Sequence, residues 1–495
     1  MTIGTVINYL NQKKNYNLSA DYYEKIAVWL DWWRGFHKPF HEFRETNGKR
    51  SVTRRLYSLR MAKKVCEDWA SILLNEKTWI AITDGTEKPG ENSSTMPGVS
   101  SIFVQGEDGT GGVLGDNDFW AQGNALIEKA FALGTGAFVV KLSGVEVDGN
   151  RVKPSRQAKI HIDYLTAQQI IPLTIQKGQI VEAAFVSETT VRGRPYIYLE
   201  THELENGGYR ITNEYFRVEG EQLVPEPLPE GVAKEFYTGS DIPMFTIFSP
   251  NIVNTFPNSN GLGMSIYAHA IDNLKSVDLA FNNFCRDFAL GGKKVFYREG
   301  LLQVDEEGNR IVPDDVMQQL FVQIGDGYMD EQGRQNAVQE FNPSLRVSEN
   351  VDGLQAMLDY LSFKVGFGTK HYQFNAGSVV TATQYMGDKQ ELIQNAAKHY
   401  IVIERAIKQL VRAILWAGKE VLGQPVNPDA KVTVNFEDSY IIDKESERQR
   451  DLQEVRDGLM QPYEYRMKWY GEDEVTAKKM TGAALTDDEL MGFDE

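Results

Sequence analysis

Apolar residues near the N-terminus recur with helical spacing. Between 56 and 74 they fall every three or four positions and form one stripe, which we expect to be core: Leu59, Ala62, Cys66, Trp69 and Leu73. An aromatic-rich helix is predicted over 22–33. A further helix runs to about Leu133, with Asp116 or Asn117 as its N-cap, and a Gly-Thr-Gly turn at 134–136 ends it.

The hydrophobic period then changes to two over about 137–218. This alternation predicts strands separated by turn sequences at 148–150, 177–178 and 206–208. Consecutive strands joined by such short turns form an antiparallel meander. Together with the preceding helices, the meander predicts a domain of the α+β class.

A long helix with a narrow apolar seam is predicted over 264–290. Its apolar residues include four at intervals of seven and two that flank them: Tyr267, Leu274, Phe281 and Phe288, with Ile271 and Phe284. Charged residues, among them Asp278, occupy the remaining face. Such a seam needs a partner helix, and the stripe of Leu354, Leu358 and Leu361 predicts one over 351–365. The residues between the two helices, 293–341, predict a small αβ insert.

A loop rich in glycine, polar and aromatic residues follows at 366–377. Thr381 and Gln384 have the spacing of a capping box, and the helix that they open can run without proline to Glu420. A helix of this length extends about 58 Å. A strand is predicted at 431–436, and short acidic helices are predicted beyond residue 444.

The composition is that of a globular protein of about three units at roughly 150 residues per domain. The chain has 495 residues, a net charge of −17 and two cysteines, Cys66 and Cys285, which match no metal or redox spacing. We expect a reducing compartment, no secretory signal and no membrane span. The longest uncharged stretch, 242–271, contains prolines and asparagines that lipid would not tolerate. The acidic charge argues against a simple nucleic-acid clamp.

The charge is unevenly distributed along the chain. Residues 1–80 hold 14 basic and 8 acidic side chains, whereas residues 421–495 hold 9 basic and 18 acidic ones. Seven cations and no acid lie within 49–64. Three interpretations stand for this segment: the solvated face of a helix, a phosphate-binding patch, or a contact with an acidic neighbouring subunit through Arg54, Arg55 and Arg60.

Catalytic motifs are absent from the sequence. The glycine-rich segment 106–112 lacks the Gly-Lys-Ser/Thr ending of a phosphate-binding loop. His161 and Asp163 could supply two metal ligands on one strand, but two are insufficient for a metal site. We therefore expect no catalytic residue, no metal and no cofactor. A monomeric acidic enzyme and a tightly DNA-binding minor head protein remain alternatives.

The order of these elements resembles the portal proteins of tailed bacteriophages. Local sequences strengthen the resemblance, namely Ser58-Leu-Arg-Met-Ala-Lys-Lys-Val-Cys-Glu-Asp-Trp-Ala-Ser71, Thr381-Ala-Thr383, and Phe436-Glu-Asp-Ser-Tyr-Ile-Ile-Asp443 followed by Gln453-Glu-Val-Arg-Asp-Gly-Leu-Met460. They look like the version found in long-tailed phages of Gram-positive hosts. The resemblance covers nearly the whole chain.

The resemblance implies a portal fold with an α/β wing, a two-helix stem, a small αβ clip and a helical crown. The implied boundaries are 1–260 for the wing, 261–290 and 346–366 for the stem, 291–345 for the clip, 367–380 for a tunnel loop, 381–422 for a long helix to the crown, 423–443 for a returning wing strand and 444–495 for the acidic helical crown. The stem would pack through the seam residues named above.

The resemblance also implies a function and partners. Twelve copies would form a ring at one vertex of the capsid, assembled in the host cytoplasm, as the conduit for double-stranded DNA in packaging and ejection. The expected partners are the terminase large subunit, a head-completion adaptor, and the major capsid and scaffolding proteins. Residues of the tunnel loop would face the DNA: Lys370, His371, Tyr372, Gln373, Phe374 and Asn375. The alternative for this loop is an ordinary polar connector.

Overall fold

The structure is a computed structural model. It describes residues 3–47, 50–75, 77–84, 98–107, 109–148, 151–155, 157–220, 222–298, 321–324, 338–373, 382–436, 444–472 and 474–482. Every structural statement below concerns these residues.

Seven helices precede the main sheets. They are α1 (Ile3–Lys14), α2 (Asp21–Arg34), α3 (Lys38–His41), α4 (Met61–Leu73), α5 (Val99–Gln105), α6 (Gly112–Asp116) and α7 (Phe119–Leu133). The predicted stripe of α4 lies in the core, where Cys66, Trp69 and Leu73 are fully enclosed. The predicted N-caps of α7 are wrong. The helix starts at Phe119 after Asp118 in the left-handed conformation, and Asn117 instead donates to carbonyl oxygens of Val113 and Ile160.

The alternating segment supplies most strands of an α+β body. The strands of the body are β3 (Trp79–Thr83), which lies before that segment; β4 (Gly136–Ser143), β5 (Glu146–Asp148), β6 (Arg151–Lys153), β7 (Lys159–Thr166), β8 (Ile170–Gln176), β9 (Gln179–Val191), β10 (Arg194–Glu205) and β11 (Gly208–Glu219) within it; and β12 (Gln222–Glu226), β13 (Glu235–Tyr237) and β14 (Phe245–Phe248) after it. Strands β8 to β11 pair in chain order as an antiparallel meander, while β4 lies between β14 and β7 in a second sheet.

A separate hairpin, not predicted from the sequence, precedes α4. It consists of β1 (Glu42–Asn47) and β2 (Arg50–Arg55), which pair antiparallel in a sheet of their own. Its sequence lacks an apolar alternation, because both strands are mostly polar or charged. The hairpin therefore gives no signal of a buried face.

The C-terminal half begins with α8 (Ile271–Leu290). It continues through β15 (Lys294–Arg298), β16 (Phe321–Ile324), β17 (Val338–Phe341), α9 (Val347–Lys364), α10 (Ala382–Glu420), β18 (Lys431–Asn435), α11 (Lys444–Arg456), α12 (Pro462–Tyr470) and α13 (Glu474–Thr481). Strand β15 lies between β16 and β17 in a small mixed sheet. Residues 299–320 and 325–337 of the predicted αβ insert lie outside the described residues.

The long helix α10 and strand β18 return the chain to the α+β body. The C-terminal half of α10 is enclosed, with Ile407, Val411 and Ile414 almost without exposed surface. Strand β18 then pairs antiparallel with β3, so that Val432 lies opposite Ile82. The second half of α10 is therefore part of the core of the body. The N-terminal cap predicted at Thr381 lies outside the described residues.

Candidate functional site

Helices α8 and α9 lie against each other and form a pair. The C-terminal end of α8 meets the N-terminal end of α9, where Arg346 forms an ion pair of 2.8 Å with Asp287 and Asn350 donates to the same carboxylate at 2.7 Å. Hydrogen bonds from Arg346 and Asn350 hold the pKa of Asp287 below its usual value. The two helices are therefore antiparallel, with the small mixed sheet at the end marked by Asp287.

The apolar seam of this pair becomes more exposed along its length. Leu274 is 2% exposed, Phe281 and Phe284 are partly buried, and Phe288 is 52% exposed. On α9, the predicted residues Leu354, Leu358 and Leu361 are buried. The seam is thus closed near the α+β body and open at the far end.

The helix predicted from residue 264 begins only at Ile271. Tyr267 lies in turns before it, fully buried, and its hydroxyl donates to the carbonyl oxygen of Trp29 at 2.7 Å. Residues 265–270 form successive tight turns, in which the amide of Ala268 donates to Ser265 and that of Ala270 to Tyr267. Tyr267 is therefore packed in the body and not in the helix pair, whereas Ile271 occupies the first position of α8.

A buried carboxylate joins α8 to the body. Asp278, expected on the charged face, is 3% exposed and accepts from the amide of Leu59 at 2.7 Å and the hydroxyl of Ser58 at 3.0 Å. Its other partner is Nε2 of the fully buried His41, at 3.0 Å. One turn later, Asn282 accepts from the amide of Tyr57 at 3.4 Å. The periodicity of α8 could not reveal this site, because its partners come from residues more than 200 positions earlier.

The segment after α9 is fixed against the body by aromatic stacking. The ring of Phe367 lies 4.7 Å from that of Trp69 and 4.3 Å from that of His371, nearly parallel to both. The indole nitrogen of Trp69 donates to the carbonyl of Val365 at 3.2 Å. A loop expected to project from the helix pair therefore begins as a packed segment.

Asp68 of α4 is the polar centre of this packing. Its carboxylate accepts from the hydroxyl of Tyr372 at 2.9 Å, pairs with Lys64, and lies 3.8 Å from Nε2 of His371. Burial raises the pKa of Asp68, but hydrogen bonds from His371, Lys64 and Tyr372 outweigh it and hold the pKa below its usual value. Burial and the Asp68 carboxylate also raise the pKa of Tyr372. The site thus favours an ionised Asp68 and a neutral Tyr372.

Two further helices hold the same segment. Gln355 of α9 donates to the carbonyl of Tyr372 at 2.7 Å, and Asn395 of α10 donates to that of Gly366 at 3.0 Å. Beneath them, His399 is 3% exposed and accepts from the amide of Asn251 at 3.0 Å. Burial, together with the neighbouring Lys398, lowers the pKa of His399 to about 3. His399 is therefore neutral at physiological pH.

The six residues expected to face DNA differ in whether their polar groups are exposed to solvent or bonded within the chain. His371 and Tyr372 are half-buried and use their polar groups on Asp68. Lys370, in the left-handed conformation with φ of 62°, and Gln373 are exposed. Phe374 and Asn375 lie outside the described residues. Within the described part of the loop, the exposed polar side chains are those of Thr369, Lys370 and Gln373.

A comparison with known protein families assigns the chain to one of them. The family model for phage portal proteins of the SPP1 Gp6-like type matches residues 7–479. The chain belongs to this portal family. Members are structural, non-enzymatic assembly components that form an oligomeric ring at the capsid vertex and interact with terminase and capsid proteins. No curated protein sequence matches the chain.

For a portal protein, the basic segment 49–64 has an unexpected structure. Residues 50–55 form strand β2 and α4 begins only at Met61, so the interpretation as one solvated helix face is wrong. Arg54 is exposed, and the guanidinium of Arg55 lies 4.3 Å from the ring centre of Phe36. Arg60 adopts the left-handed conformation before α4, with its side chain close to Gly35. The three arginines therefore point to different surroundings.

The two candidate metal ligands of this portal protein, His161 and Asp163, have partners within the chain. His161 lies 3.1 Å from the hydroxyl of Ser143, and Asp163 forms an ion pair of 2.6 Å with Lys141. Across the described residues, no group of three or more His, Cys, Asp or Glu side chains is arranged to hold a metal ion. In the same part of the chain, no helix has the length and apolar character needed to cross a membrane.

Proposed function

We propose that twelve copies of this chain form the portal ring and conduct double-stranded DNA during packaging and ejection. In this proposal the α+β body is the wing, α8 and α9 are the stem, and the small mixed sheet with its neighbouring residues, 291–345, is the clip. The observation that carries the proposal is the rooted helix pair. Its near end is fixed in the body by Asp278, and its far end continues into a separate small sheet.

The tunnel loop in this proposal is the segment 367–380. Its described beginning is anchored to α4, α9 and α10, and these contacts would hold Lys370 and Gln373 at a constant place in the channel. Lys370 and Gln373 would then approach the DNA. One cation and one amide per subunit are suited to weak contacts with phosphates that carry no sequence information. Together with the net charge of −17 per chain, this weak attraction would allow DNA to slide.

The clip would contact the terminase large subunit during packaging and a head-completion adaptor afterwards. The wing would contact the major capsid and scaffolding proteins, and α11 to α13 would belong to the crown. Assembly would take place in the host cytoplasm before the ring enters the virion. The position of α11 to α13 after strand β18 and the exposed far end of the helix pair are the observations that support these assignments.

Native mass and negative-stain imaging of the purified chain test the proposal. A ring of twelve copies has about twelve times the mass of the 56.0 kDa chain and a central hole. A stable particle of 56.0 kDa that turns over a substrate would favour the monomeric enzyme instead. A steep salt dependence of tight DNA binding would favour the minor head protein.

A further inference from the structure

A groove lies between helices α1 and α2 and the meander of β8 to β11. Its volume is about 640 Å³. Val6 of α1, Val186 of β9 and Ile197 of β10 line it and are buried, so their side chains form an apolar floor. The wall formed by α2 includes the exposed side chain of Ala27. An apolar side chain that enters from solvent would therefore find apolar contacts in this groove.

The rim of this groove is acidic. Asp21 and Glu24 of α2 lie on one wall and Glu188 of β9 lies on the other, and all three residues are exposed. Within the described part of the chain, none of these carboxylates has an ion-pair partner, and no residue that lines the groove is basic. We call this feature the acidic groove. It suits an occupant that brings cations next to an apolar side chain.

The side of α10 that faces solvent offers this combination. Lys398, Ile401 and Arg405 are spaced by three and four positions and share one side of the helix. Lys398 and Arg405 are exposed, and Ile401 is 65% exposed. Among the described residues neither cation has an ion-pair partner, whereas Glu404 at the edge of this side is paired with Lys408 at 2.6 Å. We call Lys398, Ile401 and Arg405 the α10 stripe.

Helix α10 and the acidic groove lie on opposite sides of the two sheets. Successive residues of a strand point to opposite faces. On β14, the hydroxyl of Thr246 lies 3.2 Å from the side-chain oxygen of Gln409 on α10, whereas the ring of Phe245 lies 5.3 Å from that of Phe185 on β9. The next residue of β9 is Val186, which lines the groove. Within one chain, both sheets therefore separate α10 from the acidic groove.

This arrangement fits a closed ring. A head-to-tail contact joins two different surfaces of the same chain, and it closes into a ring when the rotation between neighbours divides a full turn. In a ring of twelve copies this rotation is about 30°, so the two contact surfaces of one subunit point in nearly opposite directions. Elements on opposite sides of the body are therefore suited to meet between neighbours.

We propose that the α10 stripe of each subunit packs in the acidic groove of the neighbouring copy. Ile401 enters the groove towards its apolar floor, and Lys398 and Arg405 lie beside the carboxylates of the rim. The inference rests on the proposed ring and names a pair of surfaces that builds it. It accounts for an apolar residue exposed between two cations and for an acidic rim without a cation.

Site-directed cross-linking tests this contact in the full-length chain. Cysteines are introduced by Ala27→Cys and Ile401→Cys in a Cys285→Ser background, since the native Cys66 is fully buried. A short bis-maleimide should give a ladder of covalent multimers up to the closed ring. The matched control is Ala27→Cys with Leu279→Cys, because Leu279 is 44% exposed on α8 and belongs to neither surface. This control should give no ladder.

The outcomes separate this inference from the proposed ring. Rings of normal mass without a ladder from the 27/401 pair, or with an equal ladder from the 27/279 pair, overturn the contact and leave the ring intact. A cross-linked product of monomer mass from the 27/401 pair also overturns it, because the two surfaces would then meet within one chain. A chain that stays monomeric without any substitution overturns the proposed function and the contact with it.

A charge exchange provides an independent measurement. Lys398→Glu combined with Arg405→Glu places four acids where the rim now meets two cations, and it should reduce the fraction of chain in rings several-fold at low salt. Adding Glu24→Lys and Glu188→Lys should restore the rings, because it reverses both sides of the contact.

The matched control for this exchange is Lys129→Glu combined with Arg456→Glu. Both residues are exposed, on α7 and α11, and neither belongs to the α10 stripe or lines the acidic groove. This variant changes the net charge by the same amount and should leave the fraction of chain in rings unchanged. An equal loss in the control, or no restoration by the exchange, contradicts the proposed contact.

Discussion

The two ends of the helix pair formed by α8 and α9 differ in how far their side chains are buried within the chain. At the near end, Asp278 has three hydrogen-bond partners and Leu274, Leu358 and Leu361 are enclosed. At the far end, Phe288, Leu345 and Val347 are 52%, 44% and 43% exposed. The near end is complete within one chain, whereas the far end has apolar surface that other subunits or partners must cover. The helix pair is therefore well packed at its near end and exposes apolar side chains at its far end.

The largest expected effect on stability is the difference between replacing a buried and an exposed residue of α9. Leu358→Ala should lower the free energy of unfolding by about 2 to 5 kcal/mol, because it leaves a cavity at a fully buried position. Phe363→Ala, at a position 56% exposed in the single chain, should change it by less than about 1 kcal/mol. Urea unfolding of monomeric protein measures both, and equal losses would erase the distinction between the two faces of α9.

The next effect concerns the root of the helix pair, where α8 meets the body. Asp278→Ala removes the acceptor shared by His41, Ser58 and Leu59 and leaves buried donors unpaired, which should cost about 2 to 4 kcal/mol. Asp272→Ala is the matched control, since this carboxylate on the same helix is 94% exposed and pairs only with Lys275 at the surface. Its effect should stay below about 0.5 kcal/mol. A mild loss at Asp278 would mean that the root is held by packing alone.

The buried His399 predicts a pH dependence of stability. Its pKa is about 3 in the folded chain, below the value of 6.5 of a free histidine, so the unfolded chain binds more protons between these values and stability falls as the pH falls through this window. The contribution between pH 7 and pH 5 is about 2 kcal/mol. His399→Gln should remove this part of the slope in unfolding experiments at both pH values. An unchanged slope would show that His399 does not remain neutral.

A smaller effect on stability is expected in the segment that follows α9. Tyr372→Phe removes the hydroxyl that donates to Asp68, and it should destabilise the chain by about 1 kcal/mol. Tyr360→Phe, at a residue 63% exposed on α9, is the control and should leave the stability of the monomer unchanged. Hydrogen exchange of residues 366–373 should increase in the Tyr372 variant. Equal exchange in both variants would indicate that stacking on Trp69 suffices to hold the segment.

The smallest effect on stability should come with an effect on function. Lys370→Ala alters an exposed side chain, so unfolding should change by less than about 0.5 kcal/mol, while DNA packaging into proheads should slow a few-fold. Lys364→Ala, an exposed cation at the end of α9, is the matched control. Equal packaging rates in the two variants would show that Lys370 does not contact the DNA.

Local sequence patterns predicted the helices, strands and turns more reliably than the polar contacts of the candidate site. The buried stripe of α4 and the turns at Lys177-Gly178 and Asn206-Gly207 follow from spacing and from backbone with positive φ, which are properties of neighbouring residues. The interval of seven wrongly placed Tyr267 in the stem helix, because periodicity cannot show where a helix begins. Asp278 looked like one of several acids on a charged face, since its partners His41 and Ser58 are remote in sequence.

The sequence alone determined the class of the protein. The order of amphipathic helices, meander and long helix follows from the local periods of its hydrophobic residues. It also predicted an apolar stripe on α9, and its residues Leu354, Leu358 and Leu361 are buried. Only the tertiary structure decided which polar groups are exposed to solvent and which are bonded within the chain. It enclosed Asp278, tied His371 and Tyr372 to Asp68, and left Lys370, residues 51–55 of β2, and Tyr360 and Phe363 of α9 exposed. Burial depends on residues far apart in the chain, and a one-dimensional pattern does not contain those distances.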